Sequence, residues 1–80
     1  MNSLLENLER LHTTALGVER IKRNLQIASD DIVQWCKTQI ADEHAKLEKH
    51  GKNWYITVHG CKITVNAHSY TIITAHKSVD

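Results

Sequence analysis

No proline occurs anywhere in the chain, phenylalanine is equally absent, and glycine is found only three times. Without proline there is no stiff polyproline linker, no cis X–Pro turn and no break made by a missing N–H. The three glycines are therefore the main local punctuation, and each is worth placing. Cysteine is limited to Cys36 and Cys61, too few for a disulfide framework and without the Cys-x-x-Cys spacing of a structural zinc site. Both lie on expected core faces, so buried free thiols are the natural state. No apolar run approaches membrane length and the N-terminus does not read as a signal peptide, so no membrane association and a cytoplasmic location are expected. Charge of one sign is not in excess either. Ten Lys and Arg stand against nine Asp and Glu, a net +1 that neither demands nor excludes a nucleic-acid partner.

What is present is an ordinary folding composition. Apolar residues make up 41% and charged residues 24% of eighty positions, enough for one domain over residues 1–80 near the size at which a single core becomes marginal. A homodimer burying further apolar surface is compatible with that size.

The segment from Ala45 to Lys77 organises the rest. Lys49-His50-Gly51-Lys52 and Val58-His59-Gly60-Cys61 each set His-Gly between stretches of alternating polarity, the pattern of a two-residue hairpin loop needing positive φ at its centre. With His59-Gly60 as loop, Val58 opposes Cys61, Ile56 opposes Ile63 and Trp54 opposes Val65. With His50-Gly51 as loop, Leu47 opposes Trp54 and Ala45 opposes Ile56. The apolar side chains then share one face, and a slip of one residue would scatter them. If Ala67-His68-Ser69 is a three-residue loop, Ile63 meets Ile73 and Cys61 meets Ala75, so Ile73 and Ala75 point inward and Ile72 outward. A two-residue loop would bury Ile72 instead.

Helical patterns precede this sheet. Ser3 and Glu6 form a capping box for a helix from about Leu4 to His12, striped by Leu4, Leu8 and Leu11. Thr13 or Thr14 caps a second helix, about Ala15 to Asn24, with Leu16, Val18, Ile21 and Leu25 inward. Ser29 caps a third, from Asp30 to about Ala41, on which Ile32, Trp35, Cys36 and Ile40 recur at spacings of three and four. The expected class is thus α+β: about three helices within residues 3–41 packed on one face of a four-stranded antiparallel meander within residues 45–77.

The stretches Gly51-Lys52-Asn53-Trp54-Tyr55-Ile56, Lys62-Ile63-Thr64-Val65-Asn66 and Tyr70-Thr71-Ile72-Ile73-Thr74-Ala75, with Val18 to Leu25 upstream, resemble a family of small, functionally uncharacterised bacterial proteins. That likeness covers most of the chain and brings no assigned activity. A looser likeness links the helices-then-sheet order and the closing Ile73-Thr74-Ala75-His76 to barnase–colicin–RelE-like ribonuclease toxins. Their closing strand often ends in an aromatic where this chain has His76.

Function is expected on the sheet face left open, with Lys46, Glu48, Tyr55, Thr57, Lys62, Thr64, Tyr70, Ile72, Thr74 and His76. The registers above bring His44, Thr57, Lys62 and Thr74 into one row and Lys46, Tyr55 and Thr64 into the next, with His59 and His76 at the edge by Gly60. Metal-independent RNA cleavage needs a base at the 2′-hydroxyl, an acid for the leaving oxygen and a cation for the phosphorane, and His76, Lys62, His59 and Tyr55 are the groups of that kind. Lys46, Lys52, Arg20, Lys22 and Arg23 could hold phosphates and Tyr70 could stack a base. The same residues also read as solvated surface. His59-x-Cys61 splits its side chains between faces, so no metal site and no cofactor are expected. The favoured reading is a small RNA-directed protein of toxin-like endoribonuclease type. The alternatives are a protein-interaction module, such as an inhibitor or anti-defence factor, and a structural homodimer without a ligand.

Overall fold

The fold is given by a computed structural model that describes residues 3–78. Its order is helix α1 (Ser3–Glu6), a 3₁₀ turn (Leu8–Arg10), helices α2 (Ala15–Leu25) and α3 (Ile32–Ile40), then strands β1 (Lys46–His50), β2 (Asn53–Val58), β3 (Cys61–Asn66) and β4 (Ile72–Lys77). The strands form one antiparallel sheet in the order β1-β2-β3-β4, so the expected α+β architecture of helices followed by a meander is what forms.

The helices start where side chains can satisfy free N–H groups. The Thr14 hydroxyl accepts from the Gly17 N–H at 3.0 Å, and an Asp31 carboxylate oxygen accepts from the Gln34 N–H at 3.0 Å. The second cap lies two residues beyond the expected Ser29, whose hydroxyl instead accepts from the Asp31 N–H. The expected first helix does not run through to His12. It ends after Glu6, where Asn7 leaves helical geometry and its side-chain amide donates to the Ser3 carbonyl. The chain then extends so that His12 pairs in parallel with Thr71 beside β4. On α2, Gly17, Ile21 and Leu25 face the core at four-residue spacing, while Leu16, expected inside, is 71% exposed. A Cβ on Gly17 would meet the Thr13 hydroxyl, which donates to the Ile72 carbonyl at 3.0 Å. The missing side chain leaves room for the Thr13 hydroxyl that ties the start of α2 to β4.

The core is continuous from Leu4, Leu11, Ile21 and Leu25 through Ile32, Cys36 and Ile40 to Trp54, Ile56, Val58, Ile63, Val65, Ile72 and Ala75. Both cysteines are free thiols. Burial pushes the Cys36 thiol up to about 12, which leaves it protonated and unreactive near neutral pH. Cys61 and Trp35 are only partly buried at the rim.

Three turns decide the register. His59 (φ 46°) and Gly60 (φ 74°) are both left-handed, the two-residue type I′ pattern, and the pairs Val58–Cys61, Ile56–Ile63 and Trp54–Val65 form as expected. The first hairpin differs. Its loop is Gly51-Lys52, with Gly51 at φ 60° in the first central position, so His50 pairs with Asn53 and Leu47 with Ile56 rather than Trp54. The shift is two residues, which preserves every side chain's face.

The last connection corrects a larger expectation. Asn66 takes the N–H groups of His68 and Ser69 on its side-chain oxygen, Tyr70 adopts φ 61°, and the register breaks between Thr64 and Val65. Thr64 pairs with Thr74 but Val65 with Ile72, leaving Ile73 as the extra residue of a bulge. Both Ile72 (1% exposed) and Ala75 (0%) therefore point inward, and Ile73 (40%) outward. Replacing Ile72 by Ala is expected to cost about 2–5 kcal/mol, and replacing Ile73 less than about 1 kcal/mol. Denaturant unfolding of the two variants checks this, and equal losses would contradict the bulge.

Candidate functional site

The registers place a polar row across the uncovered face of all four strands: Lys46, Thr57, Lys62 and His76, each directly opposite the next. The row beside it is Glu48, Tyr55, Thr64 and Thr74. Sequence reasoning put His44 and Thr74 in the first row. The two-residue displacements of β1 and β4 bring in Lys46 and His76 instead, so Lys62 and His76 become cross-strand partners with Cβ atoms about 4.5–5.5 Å apart. The end of β4 is held by the Ser78 N–H, which donates to the Gly60 carbonyl at 2.7 Å.

Local bonds set the state of these groups. The His76 Nδ1–H donates to the Lys77 carbonyl at 3.0 Å, and among the described residues Nε2 has no hydrogen-bond partner. The Asn53 amide donates to the Tyr55 hydroxyl oxygen at 3.3 Å, so the phenolic proton remains available. Lys46 is paired with Glu48 at 3.1 Å, and His50 meets the other Glu48 oxygen at 3.1 Å. These bonds, the His50 one foremost, lower the Glu48 carboxyl below its usual range. Among the described residues no carboxylate pairs with Lys62. Tyr55, Thr57, Lys62, Glu48 and His50 line a shallow depression over the row.

Other expected site residues go elsewhere. Tyr70 is not on the open face: it is 7% exposed, with the Arg10 guanidinium 4.6 Å above its ring, because the left-handed turn that starts β4 folds the ring inward. Ile72 leaves that face through the bulge at Ile73. Arg20, Lys22 and Arg23 lie on α2, in the layer packed on β4 from the apolar side, and do not join the Lys62–His76 row. Lys52 sits in the first turn, beside Lys49 at an open cleft of about 650 Å³ rimmed by Asn66 and His68.

His59 is also drawn away from the row. Its Nε2 lies 2.8 Å from the Asp42 carboxylate, whose other oxygen accepts from the His44 backbone N–H at 2.7 Å and meets His44 Nδ1 at 3.1 Å. The sequence offered little sign of this cluster. Asp42 and His44 are two residues apart in the α3–β1 connection, and only the closure of the fold brings His59 to them across seventeen positions. A Val58–Cys61 turn with His59 left-handed aims that ring outward, clear of Cys61.

The hydrogen bond from His59, then those from the His44 backbone and ring, lower the Asp42 carboxyl from 3.8 to about 2. A carboxyl that is more acidic when folded stabilises the fold fully above its ordinary value, and that contribution disappears as pH falls through the folded value. Wild-type stability should therefore drop between about pH 4 and pH 2 more steeply than that of Asp42→Asn. Denaturant midpoints measured across that interval are the check, and parallel curves would contradict the assignment.

Among the described residues no helix is long and apolar enough to cross a membrane. No curated protein and no solved structure matches the chain, and nothing in these comparisons links it to ribonuclease toxins. A family profile described as "Protein of unknown function (DUF3781)" matches residues 5–76, a span running from the first helix through the Lys62–His76 pair. The chain belongs to the DUF3781 family.

Proposed function

We propose that this protein acts on RNA through the open sheet face, as a metal-independent endoribonuclease centred on Lys62 and His76. The observation that carries the reading is their direct cross-strand pairing, with no carboxylate on Lys62 and no partner on His76 Nε2 among the described residues. In the proposed step His76 Nε2 removes the proton of a ribose 2′-hydroxyl. The 2′-oxygen attacks the adjacent phosphorus, the P–O5′ bond breaks, and the Tyr55 hydroxyl gives its proton to the departing 5′-oxygen. The products are a 2′,3′-cyclic phosphate and a 5′-hydroxyl. Lys62 offsets the charge that builds on the non-bridging oxygens. Tyr55 stands two strands and two residues from His76, roughly 12 Å between backbones at ordinary strand spacing, and its hydroxyl is turned to Asn53, so the step requires the ring to swing over Thr64 toward Lys62. Lys46 extends the cationic row toward β1.

The test is purified protein incubated with total RNA, with and without chelator, beside the variants His76→Ala and Lys62→Ala. Cleavage should persist in chelator and fall by about 10²–10⁴-fold in His76→Ala, the usual contribution of a general acid or base. Lys62→Ala should weaken RNA binding as well as turnover, and binding should decline steeply with salt as phosphate contacts release counterions. Intact RNA in every lane would overturn the nuclease reading and favour the interaction module. Cleavage at full rate in His76→Ala would move the site elsewhere.

A further inference from the structure

The α3–β1 connection and the β2–β3 hairpin meet in a group the RNA reading does not use. Asp42, His44 and His59 each present one donor atom, and all three atoms lie within 4.8 Å of one another. A four-coordinate zinc with bonds of about 2.0–2.1 Å holds neighbouring donors roughly 3.3–3.5 Å apart. Asp42 Oδ2 lies 2.8 Å from His59 Nε2 and Asp42 Oδ1 3.1 Å from His44 Nδ1, so each ring meets the carboxylate through its own oxygen and side-chain rotation brings both nitrogens to an ion held on it. The histidine rings have centroids 5.9 Å apart and are tilted by 59°, so they converge on the carboxylate from two sides instead of stacking flat. The His44 N–H to Asp42 bond orients the carboxylate, and the left-handed backbone of His59 aims its ring.

We infer that Asp42, His44 and His59 form a binding site for a divalent first-row metal ion of the zinc class. Two imidazoles with one carboxylate suit zinc, cobalt or nickel, whereas calcium and magnesium prefer all-oxygen shells. Binding replaces the hydrogens now shared with Asp42: His44 Nδ1 and His59 Nε2 each turn a lone pair to the metal. From a neutral ring that hydrogen moves, by exchange with solvent, to the other ring nitrogen, and from an imidazolium the displaced proton goes to solvent. The side chains of His44 and His59 are 70% and 53% exposed, so the fourth position opens to water. A metal there ties the connection after α3 to the hairpin next to the Thr57–Lys62 pair.

Zinc affinity is measured without RNA, so this inference stands or falls independently of the nuclease reading. Full-length protein stripped with chelator is titrated calorimetrically with zinc chloride, beside Asp42→Asn, His59→Ala and the remote control His68→Ala. One zinc per chain is expected, with affinity at least tenfold weaker in the first two variants and unchanged in the third. Zinc should raise the melting temperature of the wild type, as binding to the folded state must. Cobalt should give the visible absorption of a four-coordinate complex. Histidine modification of the wild type by diethyl pyrocarbonate needs no variant to fold: zinc should shield His44 and His59 but not His68. No zinc uptake, undiminished affinity in Asp42→Asn, or equal modification of all these histidines with and without zinc would overturn the site.

Discussion

Everything in this molecule follows from the burial of one face of a four-stranded sheet. Trp54, Ile56, Val58, Ile63 and Val65 alternate with polar residues on two central strands. Only one set of faces puts all of them under the helices. That demand is strong because a one-residue slip would turn each of these apolar side chains to water. It tolerates slips of two, and it tolerates a bulge where strict alternation would waste a large side chain. Both tolerances are used. The first hairpin moves by two residues to give Gly51 the first central place in its loop, and β4 bulges at Ile73 to bury both Ile72 and Ala75.

The chemistry of the open face is a by-product of the same constraint. Face is preserved through these adjustments, but row is not. Moving β1 and β4 against the centre replaces His44 and Thr74 with Lys46 and His76 beside Thr57 and Lys62. A lone lysine between hydroxyls thus becomes a lysine facing an imidazole. Just before the bulge, the left-handed Tyr70 that precedes β4 carries its ring into the core beneath Arg10. Two neighbouring backbone irregularities therefore remove an aromatic from the open face and help set what remains there.

The polar cluster beside the β2–β3 hairpin follows a different logic. Asp42 holds its place through a local bond to the His44 N–H, and the nearby type I′ turn presents His59. Neither segment contributes much to the core. Their meeting is fixed by where α3 ends and where the β2–β3 hairpin closes, and the result is a carboxylate enclosed by two imidazoles at the surface. The low-lying Asp42 carboxyl, the candidate metal site and the anchoring of that hairpin are three consequences of one contact.

Alternating polarity and His59-Gly60 were enough to define the central hairpin, residue by residue, because face and turn chemistry are local properties of the chain. Spacing of Ile21, Leu25, Ile32, Cys36 and Ile40 likewise determined which helix surfaces would be covered, and the class of fold followed from the order of the elements. Other outcomes were settled only when the layers closed. Leu16 lost its expected place to Gly17, whose missing side chain leaves room for the Thr13 hydroxyl that bonds the Ile72 carbonyl. The first helix stopped at Glu6 because His12 finds backbone partners beside β4. The partner of Lys62 and the neighbours of His59 belong to this second kind. Periodicity is blind to two-residue shifts, which cost nothing in burial, and contacts between exposed loops leave no trace in a pattern of apolar residues.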